Sequence, residues 1–514
     1  MTWLYFVPRV RFHYPYMEWV EMLDGGTMRL LCLLLILTGL LVSVGFFTQA
    51  ALLTYNVIFT YIFLLNRSEY LNHFYLLIVI NAMLLVYPLA AGHSVDAWLF
   101  PSSSRRPTVP RWTLVLFLAQ LAIVYTFAGI VKINADWLRA EPLVHWLGKR
   151  AAIHPLLGQE LTAYLFSYGG LVYDLTVFPL LLWRRTKLLG VILSCFFHLT
   201  NKYIFNIGIF PWMMLASTTL FFHPSWPHMI FFRPPPDPLP AIQPFLFHAS
   251  KETSRSVPSS SSSSSSSSLV PHFAKRPTQV LRVHRPLSWE KVALITLALL
   301  FLAQQVVVPL RSLQYEGDVA WTEYGHLFSW RMKLRDKACE GSFSVELSVS
   351  NQTVLYQVSP SEFVTRRTWT RIKSRPDMIV EFAHAISNAY NHLGSGADDK
   401  PPRVFANIRC QLNFRPVQQF TNPEVDLSSL RLYDWPYPFI VDLEPFPQEY
   451  LEDYPWNMPA QHVIDLLSLN CPFSRNTRQK VLKDDQSNSD YYAHRPPAAG
   501  DTRSHVESAL FRSP

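Results

Sequence analysis

Lys132 is the residue hardest to explain by packing alone. It closes a strongly apolar run, Trp112–Ile133, inside the string Tyr125-Thr-Phe-Ala-Gly-Ile-Val-Lys-Ile-Asn-Ala-Asp-Trp137. A lysine there either snorkels its ammonium to an interface or acts as a partly desolvated base. In the second case burial disfavours the charged form, so the amine can accept a proton near neutrality. Asp136, four residues on, either holds that charge or finishes the helix. A second cluster, Asn66-Arg-Ser-Glu-Tyr-Leu-Asn-His73, lies at a turn between two apolar runs. Its Asn72-His73 pair either exchanges hydrogen bonds with a ligand oxygen or caps a helix terminus. A third runs from Phe197 to Trp212, where His198 and Asn201 interrupt apolar sequence; His198 either belongs to a site or satisfies a buried carbonyl. Helix alternation puts all three clusters on one side of a membrane, and their convergence argues for a site better than any one residue does.

Other chemistries lack their residues. There is no HExxH and no paired metal spacing, so no metal site is expected. Neither a GxSxG elbow nor a phosphate-cradling glycine loop occurs, and no CxxC suggests a zinc ribbon or redox pair. The net charge of +8 sits in loops, which gives no nucleic-acid patch. A bundle rich in aromatics and poor in charge would sensibly take a lipophilic ligand.

The elements that must position these residues follow from hydropathy. Only 16% of the 514 residues are charged, against roughly 25% in soluble domains. The deficit is concentrated between Met28 and Phe222 and again near Ala293–Leu310, which excludes a plain soluble enzyme and a disordered scaffold. Apolar runs predict about eight spans, near 28–46, 51–65, 74–91, 112–133, 161–183, 186–200, 203–222 and 289–310, the pair around Thr200–Tyr203 being alternatively one broken helix. Residues 1–27 carry five charges and no continuous apolar core, so no cleavable signal is expected. The Arg105/Arg106/Arg111 and Arg184/Arg185/Lys187 clusters and the basic residues of 223–288 fall on one face, taken as cytosolic. The opposite, lumenal face then carries 1–27, the candidate site and everything after Leu310.

The expected fold is therefore mainly α: a polytopic transmembrane helix bundle with an appended α+β domain. Its parts are an N-terminal segment 1–27, the bundle 28–222 and a cytosolic linker 223–288 with ten serines at Ser259–Ser268. A last span 289–310, an α+β lumenal domain 311–450 and a polar tail 451–514 follow. Strands are expected at Ser342–Ser350, Thr353–Val358, Val404–Phe414 and Pro438–Leu443. A helix capped by Ser374 and stopped by Gly394 lies between them. Asn351-Gln-Thr353 is a glycosylation sequon on the predicted lumenal side. One disulfide is permitted among Cys339, Cys410 and Cys471, with the pair left open.

At these residues the chain resembles the vitamin K-dependent gamma-carboxylase family and its horizontally transferred transmembrane relatives. The resemblance rests on Tyr61-Ile-Phe-Leu-Leu followed by Asn72-His73, on Ala128-Gly-Ile-Val-Lys-Ile-Asn-Ala-Asp-Trp137, and on Phe197-His198 with Asn201 and Ile207-Gly-Ile-Phe. Met214-Leu-Ala-Ser217, Phe328-Ser-Trp-Arg-Met332 and Arg375-Pro-Asp-Met378 continue it in order, from about Pro15 to Pro447.

The resemblance implies a peptidyl-glutamate carboxylase of the endoplasmic reticulum. It would use vitamin K hydroquinone, dioxygen and carbon dioxide, with no metal. By it, Lys132 falls on the base that deprotonates the hydroquinone; oxygenation then yields a strong base that removes a glutamate γ-proton, and the carbanion takes up carbon dioxide. Asn72, His73, His198, Asn201, Trp330 and Met332 are the implied vitamin K- and substrate-binding residues. Implied partners are glutamate-containing proteins, membrane lipid and a reductase that recycles the epoxide. Three departures stand out. The family has a further span before Tyr14-Pro15…Glu18-Trp-Val20, so a truncated start or a bundle one helix short is expected. Val131 replaces a lysine common in animal enzymes, and their long C-terminal region is missing, so propeptide recognition is not carried over. The alternatives weighed against this reading are a quinol oxidase that carboxylates no peptide and a non-enzymatic membrane protein.

Overall fold

The computed structural model describes residues 10–86, 94–100, 111–205, 207–223, 226, 289–349, 352–391, 401–413 and 415–445. Two compact units divide the chain, one formed by Met1–Thr219 with Leu302–Pro514 and the other by Leu220–Phe301. Asn351, Gly394 and Cys471, singled out in the sequence, lie outside the described residues.

The membrane part is a helix bundle. Its helices are α1 (Gly25–Val44), α2 (Thr48–Leu64), α3 (Asn72–Leu85), α4 (Arg111–Ile130), α5 (Ala135–Leu138), α6 (Glu160–Leu182), α7 (Lys187–Phe205), α8 (Phe210–Thr218) and α9 (Trp289–Leu310). Five of the described helices, α1, α4, α6, α7 and α9, are long and apolar enough to cross a membrane; α2 and α3 are shorter apolar helices. Leucines and isoleucines on α1 stay exposed, Leu33 at 65% and Ile36 at 62%, as lipid-facing side chains do. Asp24 starts α1 by accepting from Gly26 N–H and Thr27 N–H. Gly45 ends it at φ 72°, where a Cβ would meet Ser94 Cβ at 2.5 Å.

The break expected near Thr200–Tyr203 lies further on. The α7 helix continues to Phe205 because the Asn201 amide folds back to donate to Phe197 O (2.9 Å). Gly208, at φ 62°, and Pro211, in the first turn of α8, make the break instead.

The later domain has a four-stranded antiparallel sheet in the order β2-β1-β3-β4, from β1 (Lys337–Val349), β2 (Gln352–Gln357), β3 (Arg403–Leu412) and β4 (Gln418–Gln419). Helices α10 (Arg366–Ile372) and α11 (Pro376–Tyr390) accompany it. Met378, Ile379, Phe382, Ala383 and Ile386 of α11 bury their side chains in one core with Phe343, Val345, Val404 and Ile408 of the sheet. Phe12, from the N-terminal segment, is fully buried in that same core.

Two expectations fail for local reasons. Pro438–Leu443 makes only a bridge, Thr421 to Ile440, since Pro436 and Pro438 remove ladder donors nearby. Ser374 does not cap α11: its hydroxyl donates back to Arg371 O (3.0 Å), and Pro376 opens the helix at its first turn.

Cys339 and Cys410 are register partners on β1 and β3 and form the disulfide. The loop it closes spans 71 residues, for which chain entropy implies about 4 kcal/mol of stabilisation. Replacing both cysteines by serine should lower the melting temperature of the detergent-solubilised protein. An unchanged melting temperature would show that the bridge adds nothing.

Candidate active site

Three loops carry the site: the turn before α3, the turn after α4, and the segment between α9 and β1. Asn66 shapes the first by accepting from Ser68 N–H (3.1 Å). Arg67, only 1% exposed, fixes it to α11 through Asp377 and Glu381, the latter at 3.0 Å. Glu69 does the same with Arg371 (2.7 Å) and Arg367 (2.8 Å) of α10. In the second loop α4 ends at Ile130, and Lys132 follows in a tight turn, its N–H donating to Gly129 O (3.0 Å). Asn134 caps the next short helix, α5, by accepting from Trp137 N–H (2.9 Å).

These loops, with α4, α6, α7 and α8, line a partly open cavity of about 640 Å³. Lys132, Asn72, His73, His198, Asn201 and Met332 all line it. Trp330 does not; it is fully buried behind the wall and stacks on Tyr75, with centroids 5.2 Å apart. Most of the remaining wall is apolar or aromatic, from Val124, Leu143, Leu165, Phe166, Phe197 and Phe210 among others. Arg331, Lys333 and Arg375 line the cavity as well, and no carboxylate of the described residues forms an ion pair with any of the three.

Lys132 does not snorkel. Its Nζ donates to Asp174 Oδ2 (2.5 Å) and Ala128 O (2.9 Å) and lies 5.3 Å from the Trp137 ring centre. Both partners of the pair are more than nine-tenths buried, and a buried ammonium needs such a counter-charge. Asp174 was not singled out in the sequence, although a carboxylate in mid-helix among apolar residues of α6 demands a partner, which was the available signal. Asp136, the candidate partner in sequence, faces elsewhere: Arg415 grips it with two nitrogens at 2.5 and 2.9 Å, and Asn413 donates at 2.5 Å.

The other polar residues divide between positioning and availability. Asn72 accepts from Tyr70 Oη–H (2.7 Å) and donates to Arg331 O (3.1 Å), so its amide holds two site segments together. His198 Nε2 lies 3.3 Å from Tyr125 Oη and 3.2 Å from Tyr173 Oη. Its Nδ1 is buried and has no hydrogen-bond partner among the described residues. His198 lines a largely apolar cavity, and such a cavity with a few polar groups suits a ligand with a polar head and a greasy body.

Residues 1–226 match the HTTM domain, and residues 290–444 match the lumenal domain of vitamin K-dependent gamma-carboxylase. The chain belongs to the vitamin K-dependent gamma-carboxylase family. No solved structure matches it. For this carboxylase-family chain, the two matched regions are the ones that supply the cavity walls: Lys132, Asn72 and His198 from the first, Met332 and Arg375 from the second.

Burial, reinforced by the charges of Arg375, Arg331, Arg311 and Lys337, pushes His326 of the cavity wall down to about 3 from 6.5. Between those values the unfolded chain binds a proton that the folded chain refuses, so stability falls as pH drops below about 6.5. His13, raised by its bond to Glu381, works the other way and is unaffected by changes at His326. Replacing His326 by glutamine should therefore shrink the fall in melting temperature between about pH 7 and about pH 5. An identical fall in both proteins would exclude the imidazole as its source.

Proposed function

We propose that this chain carboxylates glutamate side chains of proteins, using reduced vitamin K, dioxygen and carbon dioxide. The observation that carries the reading is Lys132 paired to Asp174 in a largely apolar cavity that Arg331, Lys333 and Arg375 also line. The bound quinol and dioxygen would supply the strong base and the oxidising power that no side chain has. Lys132 Nζ would take the first proton, from a quinol hydroxyl. For this the proton shared with Asp174 Oδ2 would have to rest on the carboxylate, leaving the amine neutral. His198, with Nε2 held by two tyrosines, would form part of the polar end of the pocket. His73 and Asn201 would complete the polar end.

A quinol filling the aromatic-walled cavity would displace water, which protects a strong base long enough to meet its substrate. Arg331, Lys333 and Arg375 would hold the glutamate carboxylate and stabilise the charge that develops on it as the γ-proton leaves. The face bearing the site would be the lumen of the endoplasmic reticulum, with the basic loops cytosolic. A separate reductase would recycle the quinone epoxide.

The test supplies membranes containing the chain with reduced vitamin K, labelled bicarbonate and a glutamate-rich peptide. Label in the peptide together with the epoxide is expected. Epoxide without label, over a series of peptides, would favour a quinol oxidase; neither product from well-inserted protein would refute the catalytic reading.

A further inference from the structure

Asn413 bridges the turn that carries Asp136 and the segment that ends at Asp336. It follows β3 directly and sits at φ 53°. Its side-chain amide faces two ways. Nδ2 donates to Asp136 Oδ2 (2.5 Å), while Oδ1 accepts from Asp336 N–H (3.0 Å). The backbone closes the same link, because Asn413 N–H donates to Asp336 O (2.7 Å).

Each end leads to a different wall. On one side Asp136 precedes Trp137, whose indole N–H donates to Ser167 O (3.0 Å) and whose ring faces Lys132 Nζ. On the other side Asp336 ends the segment that carries Arg331, Met332 and Lys333. Arg415, two residues after Asn413, adds the bidentate grip on Asp136. Asp136, Asn413 and Arg415 are each less than a tenth exposed, and desolvated ion pairs of this geometry are rigid and directional. None of the three lines the cavity.

We infer that Asp136, Asn413 and Arg415 are positioning residues that fix the Lys132 wall and the Arg331–Lys333 wall at a set separation, so that chemistry begun at one is delivered to a substrate held at the other. This rests on the carboxylase reading for its consequence. Lys132 and its partner Asp174 both belong to the membrane bundle and keep their contact when the clamp is cut. The glutamate-facing wall belongs to the segment leading into β1 and keeps the Asn72–Arg331 and His145–Asp336 contacts but loses its buried tie to the turn that carries Trp137. Misplacement of reacting groups by about 1 Å can cost on the order of a hundredfold in rate. Cutting the clamp should therefore uncouple the products: quinone epoxide continues to form while carboxylation drops.

The variants are Asn413→Ala, which strands no charge, and the double change Asp136→Asn with Arg415→Gln, which removes both charges together. Epoxide formed per glutamate carboxylated would be measured for each in membranes. The expected result is a rise of at least about tenfold in that ratio. A merely structural role would depress both products in parallel, and an unchanged ratio overturns the proposal.

A second readout needs no activity. Lys333 Nζ lies 5.1 Å from the Trp146 ring centre, so cysteines at these two positions would report the wall-to-wall distance by cross-linking, in a background lacking Cys32, Cys195 and Cys471. Cross-linking should be efficient with the clamp intact and fall several-fold with Asn413→Ala; equal yields overturn the proposal. If the unaltered protein forms no product at all, the carboxylase reading fails by itself, and the cross-linking result alone decides whether the clamp exists.

Discussion

Replacing Lys132 by alanine is expected to abolish both quinone epoxidation and glutamate carboxylation, by about 10²- to 10⁴-fold, the usual contribution of a general base. The size follows from the lack of a substitute. Among the residues lining the cavity, Lys132 is the amine paired with a buried carboxylate, and His198 Nε2 is already engaged by Tyr125 and Tyr173. Alanine would also leave Asp174 buried without its partner, so instability could mimic a catalytic loss. Lys132→Arg separates the two effects. A guanidinium keeps the positive charge opposite Asp174 but does not give up its proton in a protein, so it cannot begin as a base. The arginine variant should fold, resist heating much as the unaltered protein does, and remain inactive. An arginine variant with near-normal epoxidation would show that Lys132 supplies charge and not proton transfer.

Arg67→Ala should cost substantial stability, because it breaks a buried ion-pair cluster between the turn ahead of α3 and α11. Arg67 reaches from the turn ahead of α3 to Asp377 and Glu381 on α11, and all three side chains are largely buried. Truncation removes the guanidinium from Asp377 and from Glu381, of which Glu381 keeps its contact with His13, and breaking a buried pair from one side costs about 3–5 kcal/mol. The Arg67 backbone also ties the N-terminal segment down, its N–H donating to Phe12 O (2.7 Å). Because Asn72 and His73 follow five and six residues later, activity should fall with stability. Thermal unfolding in detergent would read the first effect. Arg67→Ala combined with Asp377→Asn and Glu381→Gln should recover part of it, since no uncompensated charge then remains. A single variant with an unaltered melting temperature would mean that water already solvates the two carboxylates.

Hydropathy was enough to place the helices of the bundle, because backbone satisfaction in lipid allows few alternatives to helix. Lys132 was legible for a related reason: an ionisable group at the end of so apolar a run is costly unless used or paired. Its partner was not legible. Asp174 stands 42 residues away, and only the packing of α4 on α6 brings them together. Sequence proximity pointed to Asp136 instead, but a short helix capped by Asn134 turns that carboxylate outward to Arg415. The helix break moved from Thr200–Tyr203 to Gly208 and Pro211 because an asparagine can satisfy itself on its own helix, as Asn201 does. Pairing of Cys339 with Cys410 became definite only with the β1–β3 register. Trp330 looked like a ligand contact from its motif, yet its ring packs behind the wall, and the neighbouring Arg331, Met332 and Lys333 face the cavity.

The most direct measurement is labelled carbon dioxide recovered as γ-carboxyglutamate in a glutamate-rich peptide, from membranes carrying the unaltered chain or the Lys132→Arg variant. Label that requires reduced vitamin K and is lost in the variant, with both proteins equally inserted, is the expected result. Equal label in both, or label that appears without the quinol, would contradict the assignment of Lys132 as the base in a quinol-driven carboxylation.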